Sequence, residues 1–313
     1  MREQDVRDAT DPRRYMNAMH HLVIGAGPTG RTIASLLAAG GERVVVASRS
    51  GRGPATAGIE HRVLDATDTG ALTAAATGAT TIFNCAMPPY DRWAEDFPPI
   101  AAAVLAATVA SGAALVTIGN VYAYGEVQPF LEGSRIAPTT VKGRVRAQMW
   151  RDALASGARV CEVRGSDYLG HAAMSLFTIM ALPAVRRGEP ATMVGDLDAP
   201  HSWTYTGDVA RTAIAASRTA ASWGRAWHVP STTMATRAMA ERLCAVGNLP
   251  APQLVAMSRA KLAALAVDSS IFAAVVEMLY LVERPAVLDA TETAQSLAVT
   301  ATPFDEVLRD TLR

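Results

Sequence analysis

The chain has 313 residues and a mass of 32.9 kDa, enough for one large domain or two lobes around a buried core. Its 29 Lys and Arg residues balance its 29 Asp and Glu residues, so no net charge attracts nucleic acid or an anionic membrane. The six histidines are scattered without metal-ligand spacing, and the expected partner is therefore a small molecule.

The N-terminal residues, the cysteines and one long apolar window indicate where the protein is located. Residues 1–19 are charged and lack an apolar core, which predicts a loose tail rather than a signal peptide. Cys85, Cys161 and Cys244 are far apart, as is typical of a reduced cytoplasmic protein. The apolar window 100–119 approaches membrane-spanning length, but Ser111-Gly112 interrupts it, so it predicts a helix and then a buried strand.

Six apolar segments, separated mostly by Ala-rich helical stretches, predict a sheet over residues 20–165. They read "HLVIG", "ERVVVASRS", "HRVLDAT", "TTIFNCA", "ALVTIGN" and "ARVCEVR". Because these runs are continuous rather than alternating, helices are expected on both faces of the sheet. The predicted fold class is α/β, a Rossmann-type doubly wound parallel sheet.

Residues 166–313 show a different rhythm. A helical run, "MSLFTIMALPAVRRG", precedes a short strand, "ATMVG", then a helix beginning at Asp208 and a strand, "AWHVP". From Thr232 onward the pattern is mainly helical, including "SSIFAAVVEMLYLV". We expect this mixed segment to complete the Rossmann core and to form a smaller, mainly helical substrate lobe.

A glycine motif lies between the first predicted strand and the first helix. In Gly25-Ala-Gly27-Pro28-Thr29-Gly30, the first glycine permits a tight turn, the second lets a pyrophosphate approach, and the third allows close helix packing. A chance glycine turn is the alternative. The strand–turn–helix context favours dinucleotide binding at the helix N-terminus.

The residues after the second and third strands predict the cofactor. Arg49 stands where an NAD-preferring fold usually has an acidic residue, so it can pair with the 2′-phosphate of NADP, although a solvated surface arginine is the alternative. Asp65, followed by Ala66, could accept from the adenine amino group or serve as an ordinary turn residue. NADP is the predicted cofactor, with NAD as the other choice.

The segments "GAGPTG", "LDATD", "NCAMPPYDRW", "GNVYAYG", "RGSDYLG" and "HSWTYTGDVARTA" resemble the extended short-chain dehydrogenase/reductase superfamily, in its NAD-dependent epimerase/dehydratase branch. The glycine motif departs from the usual G-x-x-G-x-x-G, which indicates an atypical subgroup. The resemblance implies a Rossmann domain with a C-terminal substrate lobe. It also implies that Cys85 and Ala86 lie along the cofactor and that Met87 lies near the substrate.

The catalytic residues of that family do not carry over. Its Ser or Thr after the fifth strand corresponds to Asn120, and its Tyr-x-x-x-Lys pair corresponds to Lys142 and Arg146. Asn120 can still donate to a substrate oxygen, whereas Arg146 supplies charge but exchanges no proton. Tyr122 and Tyr124 offer phenolic donors nearby, with simple packing as the alternative.

Lys142 is one of two lysines in a chain with 27 arginines. An ammonium can lose its proton, so Lys142 is a candidate acid or base, and burial beside Arg146 would favour that role. Both side chains should point the same way, one helical turn apart. The alternative is a solvated lysine or one that holds only a cofactor phosphate or ribose.

The alternating strip of His201, Trp203 and Tyr205 either faces substrate or belongs to a half-buried strand. Together these features predict an NADP-preferring oxidoreductase-like enzyme acting on a carbonyl or alcohol, with epimerisation or dehydration as related outcomes. A non-catalytic NAD(P)-binding regulator or scaffold is the alternative function. A homodimer is compatible with the sequence.

Overall fold

The computed structural model describes residues 19–313. The predicted tail, apart from Met19, lies outside these residues. The strands of the described part are β1 (His20–Ile24), β2 (Val44–Ser48), β3 (Ile59–Val63), β4 (Ala79–Asn84), β5 (Ala114–Asn120), β6 (Val160–Gly165), β7 (Asp167–Leu169), β8 (Ala191–Met193), β9 (Ser202–Tyr205), β10 (Ala226–His228), β11 (Thr232–Thr233) and β12 (Leu254–Ala256).

The α-helices of the same residues alternate with these strands in the first half of the chain and dominate the second half. They are α1 (Pro28–Ala39), α2 (Thr69–Ala76), α3 (Trp93–Ser111), α4 (Val141–Ala155), α5 (Leu182–Arg186), α6 (Thr206–Arg218), α7 (Thr236–Gly247), α8 (Arg259–Asp268), α9 (Ser270–Glu277), α10 (Tyr280–Glu283), α11 (Thr291–Leu297) and α12 (Phe304–Thr311).

Seven parallel strands form the central sheet in the order β3-β2-β1-β4-β5-β6-β10. Helices α1 and α6 cover one face, where Ile33, Leu37 and Val209 are fully buried. Helices α2, α3 and α4 cover the other face, around Leu72 and Val104. Each buried aliphatic side chain of this kind contributes about 1.5–3 kcal/mol. The predicted doubly wound Rossmann sheet is confirmed.

The segment after β6 contributes β10 to this sheet and builds a second, smaller core. That core lies between the strands β11-β9-β7, the pair β12-β8, and helices α7 and α12. Phe177, Trp203 and Leu243 are among its most buried residues. The boundary near residue 165 remains a prediction. Both β10, which belongs to the central sheet, and α6, which covers one of its faces, follow that boundary.

One predicted element matches the structure and another is divided in two. The window 100–119 is the end of α3 followed by β5, as predicted, and no helix within residues 19–313 is long and apolar enough to cross a membrane. The run predicted as one helix, 269–282, is instead divided into α9 and α10. The division falls at Met278, whose ψ of 12° departs from helical geometry.

A buried polar network lies where β10 meets the loop after β5. The Nδ1 of His228 is 2.6 Å from the backbone oxygen of Asp289, which can only accept. The Nε2 therefore accepts from the Tyr124 hydroxyl, 2.7 Å away. Both side chains are fully buried, and burial lowers the pKa of His228 to about 4. The histidine is thus neutral in the folded protein near pH 7.

This network predicts an acid-sensitive stability. The pKa of His228 is depressed by folding, so the unfolded chain binds a proton first as the pH falls from about 6.5. Between pH 6.5 and about 4, His228 should remove about 3 kcal/mol from the free energy of unfolding. Urea denaturation at several pH values measures this loss. His228→Asn should be less stable at pH 7 yet show a flatter slope in that window; equal slopes would contradict the assignment.

Candidate active site

The loops after β1, β2, β4, β5 and β6 meet at the carboxyl edge of the central sheet, where parallel α/β folds bind their ligands. The described residues of this edge fall into a glycine loop beside α1 and a polar, aromatic cluster beside α4. The two parts have different chemistry.

The glycine loop shows why each glycine is needed. Gly25 has φ of +100°, and a Cβ there would lie 2.7 Å from the backbone oxygen of Cys85. A Cβ on Gly30 would lie 2.0 Å from the oxygen of Gly25. At Gly27 a Cβ would meet nothing within 4 Å. The first and third glycines therefore serve backbone packing, whereas the second borders open space.

The start of α1 suits an anion. Pro28 occupies its first turn, followed by Thr29, and no side chain caps the helix at Gly27. Its first amides and the positive end of the helix dipole therefore stand beside the open space at Gly27. The residues present fit the pyrophosphate of a dinucleotide, as the sequence motif predicts.

Arg49 follows β2 directly and is exposed. Asp65, after β3, accepts from the backbone and hydroxyl of Thr67 at 2.9 and 2.8 Å. These bonds, aided by the charge of Arg49, lower the pKa of the Asp65 carboxyl. Asp65 thus serves as a turn residue, which is one of the two roles that the sequence allows. Its contact with adenine and the role of Ala66 stay predictions.

The loop after β4 lies against the glycine loop. The amide of Cys85 donates to Ile24 at 2.8 Å, and the amide of Ala86 donates to the Asn84 side chain at 3.2 Å. Burial raises the pKa of the Cys85 thiol to about 12, which keeps it uncharged near pH 7. Met87 is 54% exposed. The structure therefore brings Cys85 and Ala86 beside the predicted cofactor site.

Lys142 is buried at the start of α4, where it is paired with a residue of the C-terminal segment. Its Nζ donates to the Glu277 carboxylate at 2.7 Å, and its backbone amide donates to the other oxygen of Glu277 at 2.8 Å. Its Nζ also lies 4.7 Å from the ring centre of Tyr90. The side chain that the sequence offers as a candidate acid or base is therefore engaged in an ion pair, and its catalytic role stays a prediction.

Arg146, one turn further along α4, is held by aromatic rings. Its guanidinium carbon lies 4.9 Å from the Trp93 ring and 4.3 Å from the Phe97 ring. One nitrogen donates to the backbone oxygen of Ile118 at 3.3 Å. Burial lowers the pKa of Arg146 from its ordinary value. Lys142 and Arg146 both reach the beginning of α3 or the turn before it, so they point the same way as predicted.

Two tyrosine hydroxyls meet beside Lys142. The hydroxyls of Tyr122 and Tyr90 are 3.3 Å apart, and Tyr122 stacks on Trp93. Burial raises the pKa of Tyr122 well above its ordinary value, so this phenol stays protonated near pH 7. The Asn120 side chain accepts from the backbone amide of Tyr122 at 3.2 Å, so its oxygen holds the turn after β5.

The remaining predicted residues lie in other contacts. Tyr124 bonds His228 in the network described above. The indole of Trp203 is 3% exposed and donates to Met234, and Tyr205 bonds Asp310 on α12 at 3.1 Å. These contacts match the half-buried strand interpretation. Their assigned catalytic and substrate roles remain predictions without a supporting contact.

The site also contains residues that the sequence did not single out. Asp167 accepts from or pairs with His201 at 2.9 Å, and the Tyr168 hydroxyl donates to the Gly119 oxygen at 3.0 Å. Both follow β6 in the segment "RGSDYLG", which carries the resemblance. Tyr90 lies in "NCAMPPYDRW", another segment that carries the resemblance. Glu277 has no local signal, because its partner Lys142 lies 135 positions away.

A Rossmann sheet with a dinucleotide-type glycine loop and a polar cluster at its carboxyl edge defines the class of protein. The NAD dependent epimerase/dehydratase family matches residues 21–229, which is more than half of the chain. The chain belongs to this family. Comparison with curated proteins gives no match.

Solved structures share the fold. The chain is similar to MoeE5 in complex with UDP-glucose and NAD, at 20% identity and a TM-score of 0.74, over 94% of this chain and 97% of that chain. It is similar to UDP-glucose 4-epimerase of Thermotoga maritima, solved with UDP-glucose, at 16% identity and 0.74 over the same shares. It is also similar to the dTDP-glucose 4,6-dehydratase DesIV of Streptomyces venezuelae, solved with NAD, at 19% and 0.73 over 94% and 96%.

The open space at Gly27 predicts a clean binding variant. In Gly27→Val the Cβ meets no protein atom within 4 Å, but the side chain would occupy the approach of the pyrophosphate, so binding of NAD(P)H should fall by at least about 100-fold. Fluorescence titration measures affinity, and circular dichroism should show an unchanged fold. Gly30→Ala is the contrast, since its Cβ would meet backbone and lower stability. Normal NADPH binding by Gly27→Val would place the cofactor elsewhere.

Proposed function

We propose that this chain is an NAD(P)-dependent oxidoreductase-like enzyme that reduces a carbonyl compound to an alcohol. The observation that carries the proposal is a cluster of hydrogen-bonding side chains, Tyr122, Tyr90 and Lys142, at the same sheet edge as the glycine loop. Epimerisation and dehydration remain related outcomes on the same scaffold. A reduced, cytoplasmic setting suits the three free cysteines.

The glycine loop and its neighbours would hold the dinucleotide. The amides at the start of α1 would bind its pyrophosphate, and Arg49 would pair with a 2′-phosphate. Cys85 and Ala86 lie beside Gly25, where they would follow the cofactor towards the second cluster. When bound, the nicotinamide supplies the hydride chemistry that amino acid side chains lack.

The protein's own task would be to orient the carbonyl and to give it a proton. Tyr122 is a phenol whose pKa burial has raised, so it is a donor rather than a base near pH 7. The Lys142 side chain, whose charge is balanced by Glu277, lies beside the Tyr90 ring and would be the second candidate for giving that proton. Protonated donors favour reduction over alcohol oxidation, which needs a base.

A second function, dinucleotide binding without turnover, is favoured by one specific observation. Lys142 and Arg146, which stand at the family's Tyr and Lys positions, are both engaged with other parts of the chain. A binding protein would keep the glycine loop while using these side chains only for packing. Fold alone does not decide between the two functions.

Cofactor preference follows from Arg49. Its guanidinium can form a bidentate contact with the 2′-phosphate, so NADPH should bind more tightly than NADH by about tenfold. Calorimetric titration of both cofactors measures the ratio, and Arg49→Ala should bring it close to one. Arg62→Ala, which removes an exposed arginine paired with Glu60, is the control. A related structure contains NAD, so a preference for NADPH would distinguish this chain from that protein. Equal affinities of the wild type for NADPH and NADH would contradict the hypothesis.

Turnover by the wild type separates the enzyme from the binding protein, and variants at position 142 test whether Lys142 donates the proton. NADPH oxidation is followed by absorbance with a panel of aldehydes and ketones, for wild type, Lys142→Arg and Lys142→Met. If the ammonium donates the proton, both variants should lose at least about 100-fold in kcat while NADPH affinity stays unchanged. Full activity in Lys142→Arg would show that only charge is required. No turnover by the wild type with any carbonyl, despite NADPH binding, favours the binding protein.

A further inference from the structure

The charges around Lys142 bear on which substrates this site accepts, and the inference from them rests on the proposed function. Glu277 binds the Lys142 ammonium with one oxygen and its backbone amide with the other. An anionic group of a substrate would seek these same two donors. The chain's own carboxylate already neutralises them.

Two carboxylates face the tyrosine cluster. After burial, the charges of Asp167 and Glu277 contribute to a raised pKa of Tyr90, which places both carboxylates within electrostatic reach of its hydroxyl. Asp167 is 27% exposed and Glu277 is 22% exposed at the side chain, so each carboxylate is only partly screened by solvent. A phosphate brought here would meet like charge from two sides.

Arginines of the C-terminal segment offer no ready substitute. Within residues 19–313, most of them are paired with carboxylates of the chain. These pairs are Arg187–Glu189, Arg211–Asp208, Arg218–Glu42, Arg225–Glu292, Arg237–Asp198, Arg242–Asp305, Arg259–Glu283, Arg284–Glu126 and Arg313–Asp310. A diphosphate that recruited one of these arginines would compete with its carboxylate.

Uncharged oxygen acceptors fit the cluster better. The Nε1 of Trp93 and the hydroxyl of Tyr280 are buried, uncharged donors without a hydrogen-bond partner among the described residues. Trp93 stacks on Tyr122, and Tyr280 packs in the same cluster as Tyr90 and Tyr122. Unpaired buried donors are costly, and a carbonyl or hydroxyl oxygen satisfies them without adding charge.

From these contacts we propose that the substrate is an uncharged carbonyl or alcohol compound, without phosphate or carboxylate. A nucleoside diphosphate sugar, as in the UDP-glucose complex of MoeE5, is excluded by the Glu277 carboxylate on Lys142, and Asp167 only adds like charge. Glu277 is therefore a specificity-determining residue.

The test is calorimetric titration of UDP-glucose into the full-length protein saturated with NADPH. Wild type should show no saturable binding up to about 1 mM. Glu277→Gln keeps an oxygen that can accept from the Lys142 amide but leaves the ammonium unpaired, so it should bind UDP-glucose at least about tenfold more tightly than wild type. Glu283→Gln is the matched control on α10, since it releases only Arg259, and it should behave as wild type.

Micromolar binding of UDP-glucose by wild type would overturn the proposal. So would wild-type and Glu277→Gln proteins that both fail to bind, because the carboxylate would then not be what excludes the anion. Repeating the titrations in Gly27→Val, without NADPH, keeps the result independent of dinucleotide binding. The proposed function fails separately, if NADPH does not bind to the wild type.

Discussion

The ion pair between Glu277 and Lys142 is the contact on which the substrate half of the site depends. It joins the end of α9 to the start of α4 through two hydrogen bonds of 2.7 and 2.8 Å. A second contact, from Ser270 to Asp91 at 2.6 Å, ties the other end of α9 to the turn before α3. Because both side chains are mostly buried, removing one of them would leave the charge of the other with little solvent around it, which lowers the free energy of unfolding.

The sheet edge has two halves with different chemistry, and this contact belongs to the second. The glycine loop keeps the geometry that a pyrophosphate requires, with close backbone contacts at Gly25 and Gly30 and open space at Gly27. In the other half, the family's acid/base pair is replaced by a paired ammonium and by a guanidinium held between Trp93 and Phe97. Under the proposed function, proton donation would be left to Tyr122 or to Lys142.

The sequence predicts the first half well, because its signals are local. Continuous apolar runs set six strands, and three glycines at fixed spacing set the loop after β1. The second half depends on contacts between distant residues, which periodicity does not contain. Glu277 follows no motif and lies 135 positions from Lys142, and the division between α9 and α10 falls inside an uninterrupted apolar run.

Alternation is ambiguous where two environments produce the same pattern. His201, Trp203 and Tyr205 alternate along β9, as residues facing a ligand would, but Trp203 and Tyr205 bond Met234 and Asp310 in the second core. Asn120 shows a related limit: an amide can donate to a substrate, yet its oxygen here holds the backbone of Tyr122. Residue type indicates capability, and only the contacts assign its use.

The most direct test of the account is a crystal structure of the full-length protein with NADP⁺ bound. The account predicts pyrophosphate density at the amides beside Gly27, the 2′-phosphate at Arg49, and the nicotinamide end directed towards Tyr122 and Lys142. A dinucleotide bound away from the glycine loop, or a nicotinamide ring directed away from the tyrosine cluster, would contradict it.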